Sequence, residues 1–375
     1  MIIHAPQLVR GPRVRMTAQI EWEGRRVSRS IPKALWFEFP AEFESELHLS
    51  GAPFVVALLL LAMQQGEAME VRAPVSKKLL QGLQHYQRIF NEWYPERFHL
   101  VEIRALGEAP VPSLRGVEAA AFSGGVDSFF TFLDLRNQGK LPARALFMAG
   151  FDMPLNLGRS IRELTQSYQE LMKQWGVGWV DGATNVRAFV DTVDWTNAHG
   201  TALAASALCF QGAWSRFYIP SSYTLGRYPK WGTHPELDPW LSSEALEFVH
   251  QGAGLNRVRK LEVISRAPES FARLRVCWIQ DIGLKNCGRC EKCVRTQAAL
   301  EVLGAASRYS TFAEAFSLGK LRKLALRTAS ARLFAREMIR EALGRGKGAI
   351  ALSLVIALGK RRIFRIQHRL FSFFR

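Results

Sequence analysis

The sequence predicts an α/β protein: a parallel sheet with helices on both faces, preceded by a small α+β domain and followed by a basic helical extension. Three observations carry the prediction. Short apolar runs alternate with amphipathic helical stretches through the middle of the chain. A segment with Pro110, Pro112 and flanking glycines, Gly107 to Gly116, separates that alternation from what precedes it. The positive charge is concentrated after Ser317.

Residues 1–106 are expected to form the α+β domain. Val14 to Trp22 alternates apolar and polar side chains, and Glu23-Gly24 turns into a second basic strand, as in a hairpin. Pro53 to Gln65 predicts a buried helix, and Met69 to Val75 a short strand. Leu79, Leu83, Tyr86, Phe90 and Trp93 recur at helical spacing, and His99 to Ile103 closes the domain as a strand. Beyond the linker, Val117 to Phe122, Ala143 to Ala149, Val177 to Val180 and Phe217 to Pro220 predict strands. Helices are expected over Ser128 to Gln138, along Ile161 to Trp175 and opening at His199-Gly200. Such alternation favours a parallel sheet. This domain is assigned to residues 117–303 and the extension to 304–375.

With 375 residues, 48% hydrophobic and 22% charged, the composition is that of a globular protein and excludes disorder over most of the chain. No apolar run reaches the roughly 18 to 20 residues that a bilayer requires, so no transmembrane segment is expected. Arg10, Arg13 and Arg15 are not followed by an apolar stretch, which argues against a secretory signal and for a cytoplasmic location. Of the net charge of +17, most lies from Ser317 to Arg375, where fifteen Lys or Arg face two Glu. Leu326, Leu333, Ile339 and Leu343 fall near helical spacing there, and Phe371, Phe373 and Phe374 end the stretch. A basic amphipathic helix of this kind lies on an anionic surface, binds RNA, or covers the body of the protein.

Ser123, Gly124, Gly125, Val126, Asp127 and Ser128 stand where a strand ends and a helix begins. Glycines there let the backbone turn several N–H groups inward, and with the helix N-terminus these form a nest for a phosphate. Ser123 and Ser128 would add hydroxyl donors, and Asp127 is expected to hold Mg²⁺. A serine-capped connection shares the composition, but not the full string. Cys277 and the run Cys287, Cys290, Cys293 can close a tetrathiolate Zn²⁺ site, with an iron–sulfur cluster as the rival. Lys285, Arg289, Lys292 and Arg295 would offset its negative charge, and Cys209 is expected in the core.

Val117 to Phe132 resembles the signature of the PP-loop (N-type) ATP pyrophosphatases. The resemblance implies a Rossmann-like sheet of the adenine nucleotide alpha hydrolase kind and cleavage of ATP between its α and β phosphates. It also places the end of the second strand, with Asp152, beside the adenosine. Together with the cysteine spacing, the chain from Val117 to about Leu303 looks like 7-cyano-7-deazaguanine synthase-like proteins. That likeness implies an AMP-forming ligase: a small-molecule substrate oxygen is adenylylated, pyrophosphate leaves, and a nitrogen donor displaces AMP. Asp127, Ser128 and His199 are the candidate catalytic residues. The segment Ile219 to Glu247 departs from the synthase pattern, and Ser221 to Asp238 is expected as a long substrate-contacting loop. A tRNA-modifying PP-loop enzyme and a catalytically idle ATP-binding component of a defence-type assembly are the alternatives.

Overall fold

The computed structural model describes residues 1–22, 31–107, 116–226, 228–277, 279 and 282–359. The Glu23-Gly24 turn, most of the linker and the Phe371, Phe373, Phe374 cluster lie outside the described residues. The chain divides into two compact units. The first comprises Met1–Ser123, Asp134–Ser221 and Lys230–Ala253, and the second Gly124–Leu133, Ser222–Pro229 and Gly254–Arg375.

The first unit is built on one large, mostly parallel mixed sheet. Residues before the linker supply β1 (Ile2–Ile3), β2 (Gln7–Val9), β3 (Arg13–Glu21), β4 (Ala34–Pro40), β5 (Met69–Val71) and β6 (Ile103–Ala105). After it come β7 (Val117–Ala121), β8 (Arg144–Ala149), β9 (Gly178–Thr184), β10 (Trp214–Pro220) and β11 (Glu247–Gln251). The order is β11-β10-β7-β8-β9-β4-β3-β1-β5-β6, with β2 beside β3. From β11 to β9 every pairing is parallel, as the alternation predicts.

Residues 1–106, read as a separate domain, instead extend this sheet. A parallel set ending at β9 would leave a row of unpaired backbone groups, and β4 pairs antiparallel with the last two residues of that strand, Phe37 opposite Thr184 and Glu38 opposite Ala183. Side chains complete the join. Thr184 Oγ1 donates to the Trp36 carbonyl at 2.7 Å, and Asn185 both donates to the Ala34 carbonyl and accepts from the Trp36 amide.

Helices α1 (Ala52–Gln65), α2 (Lys77–Trp93), α4 (Gly158–Trp175), α5 (Arg187–Val190) and α6 (Trp195–Leu208) belong to the first unit, and α3 (Val126–Asn137) begins in the second. Every residue of α1 from Ala52 to Met63 is buried, so this helix is apolar all round rather than amphipathic. It has Pro53 in its first turn and stops at left-handed Gly66. Its neighbour is the alanine-rich α6. His199-Gly200 does not open α6: the helix starts at Trp195, where the Asp194 carboxylate caps the Thr196 amide. Gly200 serves packing, because a Cβ there would sit 1.9 Å from the Gly232 carbonyl oxygen.

The second unit holds α7 (Arg257–Ile264), α8 (Glu291–Val302), α9 (Leu318–Arg322), α10 (Ala329–Gly344) and a last helical stretch over 348–359. The described part of the extension, up to residue 359, is packed rather than free. Ala331, Phe334, Ala335, Met338 and Ala342 of α10 are buried, and ion pairs from Arg259 to Glu341 and from Arg345 to Glu262 tie α10 to α7.

Replacing Gly200 by Ala should lower stability by about 1–3 kcal/mol, because the backbone at Gly232 cannot give way without moving the helix. Urea denaturation of the two proteins measures this.

Candidate anion and metal sites

In the second unit the glycine loop and its aspartate sit among cations. Gly124 adopts the left-handed conformation (φ 72°), and its carbonyl accepts from the Arg275 amide at 2.9 Å. The helix begins two residues later, placing Asp127 in its first turn. Asp127 Oδ2 accepts from Arg257 Nη2 at 3.0 Å and from Ser222 Oγ at 3.3 Å, while Lys260 Nζ lies 3.6 Å from Oδ1. Burial alone pushes this carboxyl up, but the charges of Arg257, Lys260 and Lys292 outweigh it and hold Asp127 below its ordinary value.

The cations are unusually enclosed. Lys260 is 1% exposed, and burial lowers its pKa against the pull of Asp127. Arg295 is buried, pairs with Glu291 at 3.0 Å, and has no hydrogen-bond partner for its Nε. Burial, then repulsion from Arg257, brings its pKa down to about 10, so it keeps its proton at neutral pH. α10 contributes an aromatic wall: the Phe334 ring lies under the Arg295 guanidinium at 4.4 Å and the Arg257 guanidinium at 5.4 Å, and it stacks on Tyr223. Tyr223 in turn donates to Ser330 Oγ at 2.8 Å. Buried Glu337 adds a negative charge toward Lys260. Four cations, Arg257, Lys260, Lys292 and Arg295, thus share Asp127, Glu291 and Glu337, at a helix N-terminus that is itself partly positive.

This arrangement suits an anion. It does not suit the expected role of Asp127 as a Mg²⁺ ligand, since a divalent ion would have to displace two cations from the carboxylate. Ser128 also differs from expectation: it is buried, with its hydroxyl donating to the Gly125 carbonyl at 3.2 Å. Ser123 is exposed, Gly125 half-buried and Val126 buried.

Asp152 and His199 lie in the first unit. Asp152 is exposed just past β8 and accepts from Trp195 Nε1 at 3.2 Å. His199 is committed to packing: Nδ1 lies 3.1 Å from the Trp195 carbonyl, Nε2 3.4 Å from Thr233 Oγ1, and Trp231 packs edge-on. Burial lowers its pKa. The stretch expected as one long loop includes buried Asp238, whose carboxylate meets His250 Nδ1 at 2.6 Å. Cys209 is buried, as expected, with its thiol directed to the Ala205 carbonyl.

The four remaining cysteines converge. Their sulfurs lie within 4.8 Å of one another, with Cys277 to Cys290 at 3.9 Å and Cys287 to Cys293 at 3.8 Å. A tetrahedral site with metal–sulfur bonds of about 2.3 Å puts its sulfurs about 3.8 Å apart. Backbone amides of Ile279 and Cys287 point at Cys277 Sγ, and those of Arg289 and Cys290 at Cys287 Sγ. Gly288 makes the turn at φ 72°, where a Cβ would meet the Glu314 carbonyl oxygen at 2.3 Å. Cys290 and Cys293 stand at the N-cap and first turn of α8. Hydrogen bonding to Cys290, then burial, raises the Cys293 thiol.

Asn286, which the sequence did not single out, holds the two halves of the cluster together. Fully buried, it accepts from the Val276 and Cys277 amides at 2.7 and 3.1 Å and donates to the Leu274 carbonyl and Thr311 Oγ1. Arg257 and Lys260 were also missed. Their signal was an i, i+3 pair on one helix face, indistinguishable from solvated charge until Asp127 is placed beside it. Lys292 and Arg295, expected to offset the thiolates, also act on the charge of Asp127.

Asn286→Ala should leave two amides near Cys277 unpaired, costing about 1–3 kcal/mol for each, with loss of metal content on dialysis. Phe334→Ala should destabilise the protein by about 3–5 kcal/mol, since the extension packs into the second unit. Metal analysis and urea denaturation read the two outcomes.

Comparison of the chain with protein-family models, with curated proteins and with solved structures finds no match in any of the three.

Proposed function

We propose that the protein is an AMP-forming, ATP-dependent ligase of the PP-loop kind. The observation that carries the reading is the cation cluster on the glycine loop: Arg257, Lys260, Lys292 and Arg295 gathered around Asp127 in the first turn of α3. Buried and half-buried cations gathered at one helix N-terminus favour a polyanionic ligand, and a phosphate chain supplies one. The sheet adds support. Its order, β11-β10-β7-β8-β9, reverses between β7 and β10, as in Rossmann-like sheets, and such switch points are where nucleotides bind.

In this reading the cations hold the phosphates that leave as pyrophosphate, and the loop amides orient them. A substrate carboxylate or carbonyl oxygen attacks the α-phosphorus, the bond to the β-phosphate oxygen breaks, and both its electrons depart with pyrophosphate. A nitrogen nucleophile then replaces AMP on the substrate and gives up a proton. The protein's work is to position the reactants and stabilise developing charge. Asp127 orients Arg257 and Lys260, and no step is assigned to Mg²⁺ at its carboxylate. The cysteine cluster fits zinc, whose contribution there is structural: four sulfurs leave no open coordination position.

Titration with ATP and with inorganic pyrophosphate should show binding that Arg295→Gln weakens at least about tenfold, as expected for loss of a charge-assisted contact. Turnover with an accepted substrate should give AMP and pyrophosphate. Formation of ADP and orthophosphate would refute the assignment, as would ATP binding untouched by Arg295→Gln. Elemental analysis should find one zinc per chain and no visible absorbance, whereas a brown, iron-containing protein would overturn the zinc reading.

A further inference from the structure

We propose that the helix over 348–359 docks on an anionic lipid surface. Its inner face is packed: Ile350, Ala351, Leu354 and Ala357 are buried, and Ser353 Oγ accepts from Arg322 Nε at 3.2 Å. Its outer face is apolar as well. Leu352, Val355 and Ile356 share one side at i, i+3 and i+4 spacing and are 57%, 51% and 39% exposed. Leu343, near the end of α10, is 61% exposed. A helix this apolar on its solvent side needs cover, and its surroundings say what kind.

Residues 360–375 hold six Lys or Arg and no Asp or Glu, with seven Ile, Leu or Phe among them. Apolar side chains that enter the acyl boundary beside cations that pair with headgroups are the two requirements of interfacial binding. Nucleic acid matches the charge but leaves the Leu352, Val355, Ile356 face in water. A second copy matches the apolar face but brings two strongly basic segments together. Among the described residues no helix is long and apolar enough to cross a membrane, so the attachment is along the surface. None of this depends on the ATP reading.

The test is co-sedimentation of the full chain with vesicles of phosphatidylcholine alone or mixed with phosphatidylglycerol. Binding should be at least about tenfold stronger to the anionic vesicles and should weaken as salt rises from 0.1 to 1 M. The triple variant Leu352→Glu, Val355→Glu, Ile356→Glu should lose at least about tenfold in vesicle binding with an unchanged melting curve, since all three side chains face outward. If the triple variant unfolds, Val355→Ser alone should still weaken binding measurably. Equal binding to both vesicle types overturns the proposal, as does triple-variant binding equal to that of the parent protein. A parent protein that is dimeric, and monomeric once the three positions are changed, overturns it in favour of a contact between copies.

Discussion

The carboxylate of Asp127 is the point on which the second unit depends. It belongs to a segment, Gly124–Leu133, that is far in sequence from Ser222 and from Arg257 and Lys260, and it binds all three. Lys260 is almost completely enclosed, so without Asp127 it would be an ammonium in a poorly solvated environment, or would give up its proton. Each partner keeps the other charged. That mutual dependence lets three separate stretches of chain form one body, and it explains why an acid stands in a loop otherwise suited to anions.

The first unit answers a different requirement, the closure of an exposed sheet edge. β9 would be the unprotected end of the parallel set, and the chain before the linker supplies β4 to cover it. Thr184 and Asn185 at the end of β9 bond to β4 through their side chains, so the junction is specified by more than backbone pairing. The wholly apolar α1 follows from the same arrangement, since a helix from that early part of the chain takes its place in the common core.

What could be read in the sequence was what repeats or has fixed spacing. The strands from Val117 to Pro220 announced themselves through alternation with helices, and the cysteine run through its ligand spacing. Pairing across long separations left no such trace: nothing local in Ala34–Pro40 says that its partner is Gly178–Thr184. His199-Gly200 misled as a helix start, because the glycine admits a crossing backbone inside a helix that Asp194 caps further upstream. Asn286 was invisible for the opposite reason. Its importance lies wholly in four partners from other parts of the chain. Phe334 was not singled out in the sequence, because only the two guanidinium groups against its ring distinguish it from other apolar positions of a basic helix.

The position of the cysteine knuckle at the start of α8 carries a consequence for energetics. Cys290 and Cys293 anchor the first turn of the helix that also bears Lys292 and Arg295. An ion gripped by those sulfurs fixes the rotation and height of the helix, and with them the direction in which two cations point. Sites joined through one rigid element share a coupling free energy, and that coupling is reciprocal. Under the proposed anion site, any factor by which a metal on the sulfurs raised anion affinity would be returned by the anion to metal affinity, with the knuckle and the Asp127 cluster at the two ends of one helix turn.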